Sequence, residues 1–348
     1  MPALRQILAP HVIRIKKGAI QRLGIYLERE RFERVLLLKS EGLPSSILDL
    51  LESVCRPLEE KEVLDNSLTW LESALKAWDE RFDCVLGVGG GKALDVAKLA
   101  AFRLGLPYFA VPTSLSNDGF CSPQSSLVVE GRRVSLKARL PLAVVVDLDV
   151  VKQAPLPLWL SGVGDLVSKW TALHDWRFAF HQDGTPFDDL AALLSDATVF
   201  QFMAHPLRDE RGVRLLAQGL LFNGVAMEMA GSSRPASGSE HLISHALDRL
   251  SAQPKLHGLQ VGLATYWMSL VQGQPVKGLA KLFEATGFWE HWVQNPGSRE
   301  EWLAALEAAP SMKQDFVTVL SVPENRRRAA ELLRSDPYLG KALVRPSR

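Results

Sequence analysis

Two textures meet near residue 150, and that change limits the fold more than any other feature of the chain. Up to that point, short apolar runs rich in Val and Leu recur at Val12–Lys16, Val35–Lys39, Cys84–Gly89, Tyr108–Pro112 and Leu142–Val146. Runs of this length and composition read as strands buried on both faces. Between them apolar residues recur at helical spacing: Ile20, Leu23 and Leu27; Leu68, Leu71, Leu75 and Trp78; Ala93, Val96, Ala97 and Ala100. Strands alternating with helices predict βαβ units and a parallel sheet. Beyond residue 150 the strand-like runs stop. Long helical patterns follow at about 158–181, 186–206, 208–230, 238–250, 257–273 and 276–288, with prolines between or at the edges of most of them.

In a parallel sheet, ligands bind at the carboxyl ends of the strands, so the loops after Leu86 and Val111 deserve the closest reading. Gly87-Val88-Gly89-Gly90-Gly91-Lys92-Ala93-Leu94-Asp95 follows one strand and opens a helix. Consecutive glycines let the backbone approach a ligand, and a helix N-terminus offers N–H groups and a positive dipole end to a phosphate. The spacing matches neither G-x-G-x-x-G nor a Walker A loop. The next loop, Pro112-Thr113-Ser114-Leu115-Ser116-Asn117-Asp118-Gly119, is crowded with hydroxyl and amide groups beside that turn.

The helical half carries a second cluster. Gly238-Ser239-Glu240-His241-Leu242-Ile243-Ser244-His245 puts two imidazoles four residues apart on one helix face. His257 opens the next helix, and Asp165 reads as the carboxylate at the start of an earlier, mainly apolar one. Two imidazoles and one carboxylate suit Zn²⁺ or Fe²⁺ and leave an open coordination position, as catalytic sites do. Spacing alone does not choose between His241 and His245 as the ligand.

These segments, in this order over residues 87–258, resemble the glycerol-1-phosphate dehydrogenases. That family lies in the superfamily that also holds iron-containing alcohol dehydrogenases, glycerol dehydrogenase and dehydroquinate synthase. The resemblance implies an α/β N-terminal Rossmann-like nucleotide-binding domain over 1–152 and an all-α C-terminal metal-binding domain over 153–348, the dehydroquinate synthase-like fold. Gly89, Gly90, Gly91, Lys92 and Ala93 would then hold the diphosphate of NAD or NADP, with Thr113, Ser114, Ser116 and Ser122 completing the nucleotide site. Asp165, His241 and His257 would bind one divalent metal, zinc in the first place, with iron or nickel in some relatives. Asp118, Asp165 and His245 would meet the substrate, His245 assisting proton transfer. The implied reaction is the NAD(P)-linked interconversion of dihydroxyacetone phosphate and sn-glycerol 1-phosphate or a close analogue.

There are departures. The family's Gly-Pro-x-Thr turn is Lys39-Ser40-Glu41-Gly42 here, which leaves NAD against NADP open: Lys39 suits a 2′-phosphate and Glu41 a free 2′-hydroxyl. Leu259 stands where the family's His-Gly-Glu has its acid. The alternatives are a cyclase like dehydroquinate synthase and a dehydrogenase of an unphosphorylated polyol such as glycerol. Dehydroquinate synthases place Gly before the second histidine, whereas Ser244 stands there in this chain.

Composition narrows the partners. The 348 residues carry 40 Lys plus Arg against 39 Asp plus Glu, a net charge of +1, which gives no footprint for nucleic acid. No apolar stretch is long enough to span a membrane, and Met1–Gln6 shows no secretory pattern. Three scattered cysteines fit a reducing compartment. The expectation is a cytoplasmic enzyme of a small-molecule substrate, with a homo-oligomer compatible with the sequence.

Overall fold

The computed structural model describes residues 7–78 and 81–344; the N-terminal segment read above for a signal lies outside them. Eight strands occupy the first part: β1 (Val12–Lys16), β2 (Val35–Ser40), β3 (Glu59–Val63), β4 (Cys84–Gly89), β5 (Tyr108–Pro112), β6 (Gln124–Val129), β7 (Arg132–Lys137) and β8 (Ala143–Asp147). Helices α1 (Leu23–Arg29), α2 (Ser45–Val54), α3 (Leu68–Leu75), α4 (Gly91–Leu104) and α5 (Leu148–Gln153) connect or follow them. Six strands form one wholly parallel sheet in the order β1-β8-β5-β4-β2-β3. Leu37, Leu86, Phe109 and Val145 pack on one face with Leu23, Leu27, Ile47 and Leu51. Leu36, Val85, Ala110 and Val144, which alternate with them, are also buried, so both faces are covered, as a parallel sheet requires.

The strands that the apolar pattern misses are those with little to bury. β3 reads Glu-Glu-Lys-Glu-Val; Glu60, Lys61 and Glu62 are exposed and only Val63 is buried, because β3 is a sheet edge. β6 and β7 form a separate antiparallel hairpin through Glu130-Gly131, and β7 is almost wholly exposed.

The remaining helices include α6 (Leu156–Val167), α7 (Lys169–Asp183), α8 (Asp189–Met203), α9 (Glu210–Ala230), α10 (Ser239–Leu250) and α11 (His257–Val271). The pattern at 158–181 predicts one helix, but the chain breaks at Ser168, so Asp165 sits in the last turn of α6 and not at the start of a helix. The Asp165 carbonyl accepts from the side chains of Ser168, at 2.7 Å, and Lys169, at 2.8 Å. These side chains compete for a carbonyl that would otherwise serve the helix ladder. Among its described residues the helical half also holds one minimal parallel pair, Gly297–Ser298 with Leu343–Val344.

The chain divides into two compact units: residues up to Ala154 with Leu220–Met229, and Pro155–Gly219 with the described residues from Ala230 onward. The C-terminal half of α9 therefore belongs with the α/β unit, although its sequence reads as part of the helical half. Gly224 lies so close to the Cys121 carbonyl that any side chain there would collide with it. No helix among the described residues is long and apolar enough to cross a membrane.

Candidate active site

In the α/β unit, β2 leads outward to β3 while β4 leads the other way to β5 and β8. The carboxyl ends of β2 and β4 thus flank the point where strand order reverses, the usual ligand crevice of such sheets. Gly89 ends β4 there with φ of 139°, and a Cβ on it would collide with Ser40 at the end of β2. Ser40 Oγ accepts the Gly90 N–H at 3.0 Å and so ties the two turns together. Gly90 then leads directly into α4. A Cβ on Gly90 would meet nothing within 4 Å, so packing does not demand a glycine at that position.

The neighbouring loop is built onto this turn. The Thr113 N–H donates to the Gly89 carbonyl at 2.9 Å, and Asn117 accepts the Gly119 N–H at 2.9 Å. Lys98, buried on α4, pairs with Asp95 at 3.3 Å and donates to the Gly119 carbonyl and, at 3.2 Å, to Ser122 Oγ. Burial raises the Asp95 pKa, with Lys98 acting against it. Ser116 and Asp118 are half-buried on the loop, whereas Ser114 and Ser122 are buried. Ser122 also donates to the Gln124 carbonyl at 2.9 Å, so its hydroxyl is committed inside the protein. Lys92 is exposed and reaches the Leu64 carbonyl at 2.6 Å. Lys39, considered above for a 2′-phosphate, is instead paired with Glu60 and, at 3.7 Å, with Glu62 on β3.

In the helical unit, a close crossing of α6 and α11 sets the second site. A Cβ on Gly164 would collide with the Gly258 carbonyl, and one on Gly258 with the Ser161 carbonyl. The Gly258 N–H donates to Ser161 Oγ at 3.1 Å. Bare backbone on both helices lets Asp165, next to Gly164, approach His257, next to Gly258. Asp165, His241 and His257 each offer a ligand atom, and all three atoms lie within 4.8 Å of one another. His241 Nε2 is 3.6 Å and His257 Nε2 3.9 Å from Asp165 Oδ1. His245 is exposed, its ring 6.4 Å from that of His241 and 6.0 Å from that of His257. The geometry therefore selects His241 over His245 for the cluster.

The residues behind this cluster were not assigned a role by the sequence reading. Glu240, fully buried, accepts from His241 Nδ1 at 2.8 Å, Thr171 Oγ1 at 2.7 Å and the Gly238 N–H at 2.6 Å. His257 Nδ1 meets Ser244 Oγ at 3.1 Å. Imidazoles whose Nδ1 is fixed in this way present Nε2 as a metal donor. Burial alone would raise the Asp165 pKa, but Lys169, His241 and His257 hold it below the usual carboxylate range. Burial alone would lower that of His241, yet Asp165 and Glu240 raise it to about 8. Beneath α10, Asp175 accepts from the Ser239 N–H and Val319 N–H, both at 2.7 Å. Its burial, and then the charge of Glu240, push its pKa up to about 7. Leu259 is buried. Glu240 is the carboxylate that backs a cluster histidine, which the sequence signals only by its place immediately before His241.

A parallel α/β unit with a phosphate-type turn at its switch point, and a helical unit with a two-His, one-carboxylate cluster, define a class of metal-associated nucleotide-binding enzymes. The family profile described as iron-containing alcohol dehydrogenase matches residues 14–155. A glycerol-1-phosphate dehydrogenase [NAD(P)+] of Pyrococcus furiosus is 37% identical over 275 residues, 78% of this chain and 79% of that one. One from Methanosarcina acetivorans is 43% identical over 241 residues, 68% of this chain and 67% of that one. A crystal structure of sulfoacetaldehyde reductase from Bifidobacterium kashiwanohense, in complex with NAD+, shares the fold. It has a TM-score of 0.76 at 15% identity and covers 96% of this chain and 100% of that one. The chain belongs to the glycerol-1-phosphate dehydrogenase family of iron-containing alcohol dehydrogenases, and it is an oxidoreductase.

Proposed function

We propose that the protein interconverts dihydroxyacetone phosphate and sn-glycerol 1-phosphate with NAD or NADP, using one divalent metal, zinc in the first place. The observation that carries this reading is the Asp165–His241–His257 cluster, with both histidines backed at Nδ1, in a chain of this family. Those donors fit a divalent cation in number, type and spacing. A metal held by Asp165, His241 and His257 would supply Lewis acidity toward a carbonyl or alcohol oxygen. A nicotinamide held at the α/β unit would supply or accept the hydride.

The protein's own contributions follow from where its groups lie. Gly89, Gly90, Gly91, Lys92 and Ala93 would hold the cofactor diphosphate through backbone N–H groups at the start of α4. Thr113, Ser114 and Ser116 would line the nucleotide, with Ser122 supporting the loop from inside through Lys98. Asp118 would orient the substrate's hydroxyl groups. His245, exposed beside the cluster, would pass the proton that the reduced ketone oxygen takes up. The pairing of Lys39 with Glu60 and Glu62 supports a free 2′-hydroxyl over a 2′-phosphate, and hence NAD.

The test is an NADH and NADPH oxidation assay against dihydroxyacetone phosphate and dihydroxyacetone, with and without a chelator, and with product chirality determined. Chelator-sensitive turnover of the phosphate to the sn-1 product is expected. Turnover of dihydroxyacetone with none of its phosphate would overturn the substrate assignment, and chelator-insensitive turnover would overturn the metal assignment.

A further inference from the structure

The two cluster histidines are backed by different chemistry. His241 Nδ1 faces a carboxylate, Glu240, which can only accept when ionised. His257 Nδ1 faces the hydroxyl of Ser244, which can accept or donate. What decides the direction is Gln260: Ser244 Oγ donates to Gln260 Oε1 at 2.7 Å. A hydroxyl has one proton. With that proton committed to Gln260, Ser244 can only accept from His257, so Nδ1 carries the hydrogen and Nε2 keeps its lone pair. Nε2 is the atom that faces Asp165. Ser244 and Gln260 are both buried, at 0% and 2% exposure, so bulk water does not compete for these bonds. Each also lies one helical turn from a cluster histidine, Ser244 three residues after His241 and Gln260 three after His257.

We propose that Ser244 and Gln260 form a positioning relay that holds neutral His257 as its Nδ1–H tautomer and turns the Nε2 lone pair toward the cluster. The consequence for metal affinity rests on the metal reading given above. The tautomer itself is a property of the metal-free protein and can be measured without that reading. The relay makes a hydrogen-bond acceptor at position 260 necessary and leaves the charge of that acceptor secondary.

The experiment uses the full chain, labelled with ¹⁵N-histidine, stripped of metal and held at a pH where His257 is neutral. Long-range ¹H–¹⁵N spectra, with His257 assigned by its loss in His257→Gln, are expected to show the Nδ1–H pattern. Gln260→Leu removes the acceptor and frees the Ser244 proton to point at Nδ1. It should move His257 toward Nε2–H and weaken zinc binding by about 10–100-fold, the usual cost of losing such support. Gln260→Glu keeps the acceptor and should keep both the tautomer and the affinity. Should Gln260→Leu not fold, Ser244→Ala serves, with loss of the fixed tautomer expected. An Nε2–H pattern in the unmutated protein would overturn the relay. So would a Gln260→Leu or Ser244→Ala spectrum that matches the unmutated one. Absence of zinc binding in the unmutated protein would count against the metal reading, with the tautomer spectra still deciding the relay.

Discussion

The two candidate sites are made of opposite materials. The helical unit builds its cluster from side chains on three helices, and each of the two histidines is aimed through its Nδ1 by a buried polar partner. The turn of the α/β unit is built from backbone and from the absence of side chains at Gly89 and Gly90. A side-chain site depends on a few irreplaceable groups and on the residues behind them. A backbone site depends on space, and most of its residues are replaceable in identity so long as nothing intrudes.

This contrast can be broken by substitution. The largest effect is expected in the side-chain cluster, where Asp165→Asn or His257→Ala should lose metal retention and cut turnover by about 10²–10³ or more. Metal analysis of the purified variants checks this; metal content equal to that of the unmutated protein would remove the residue from the cluster. Within the same region, His245→Ala separates holding a metal from moving a proton. It should retain metal while turnover falls by about 10²-fold, within the range for a lost general acid. An unchanged rate would exclude His245 from the chemistry.

In the backbone site the effects are smaller and divide between stability and binding. Gly90→Ala should leave unfolding stability within about 0.5 kcal/mol, because a Cβ there meets no protein atom. It should still weaken nucleotide binding by about 10-fold by intruding on a ligand's approach. Gly89→Ala, with φ of 139° and Ser40 in the way, should instead lose about 1–3 kcal/mol of stability. Denaturation curves beside NADH fluorescence titrations would show whether the two glycines differ in this way. The smallest effect concerns the buried thiols of the α/β unit. Burial pushes the thiols of Cys55, Cys84 and Cys121 up to about 11, 12 and 12. Native protein should therefore react with a thiol reagent far more slowly than denatured protein. Rapid native labelling would show that this unit opens readily.

Legibility in the sequence followed burial and locality. β4 and β5 announce themselves because every residue in them is buried, whereas β3 hides behind four charged residues at a sheet edge. The long helical run through residue 168 looks continuous because its apolar spacing is unbroken. The break comes from side chains that take one carbonyl, a matter of hydrogen bonding that periodicity does not record. Asp165, His241 and His257 were readable as metal-type residues in a helical context, and a resemblance chose among the histidines. Glu240 and Gln260 stood in the same segments without distinction, and Ser244 stood out only as a departure from the dehydroquinate synthases, since a buried polar side chain and a surface one look alike in a sequence.

By itself the sequence determined the layered architecture, through the change of period near residue 150, and the chemical types at both sites. Those are local properties of residue type and spacing. The tertiary structure alone decided which groups meet. The crossing of α6 and α11 at Gly164 and Gly258 brings Asp165 to His257 across 92 positions of chain. The same fold ties Lys39 to the glutamates of β3 and sets Gln260 to accept the Ser244 proton. Such contacts depend on distance and direction between helices and strands, which no spacing along one of them encodes.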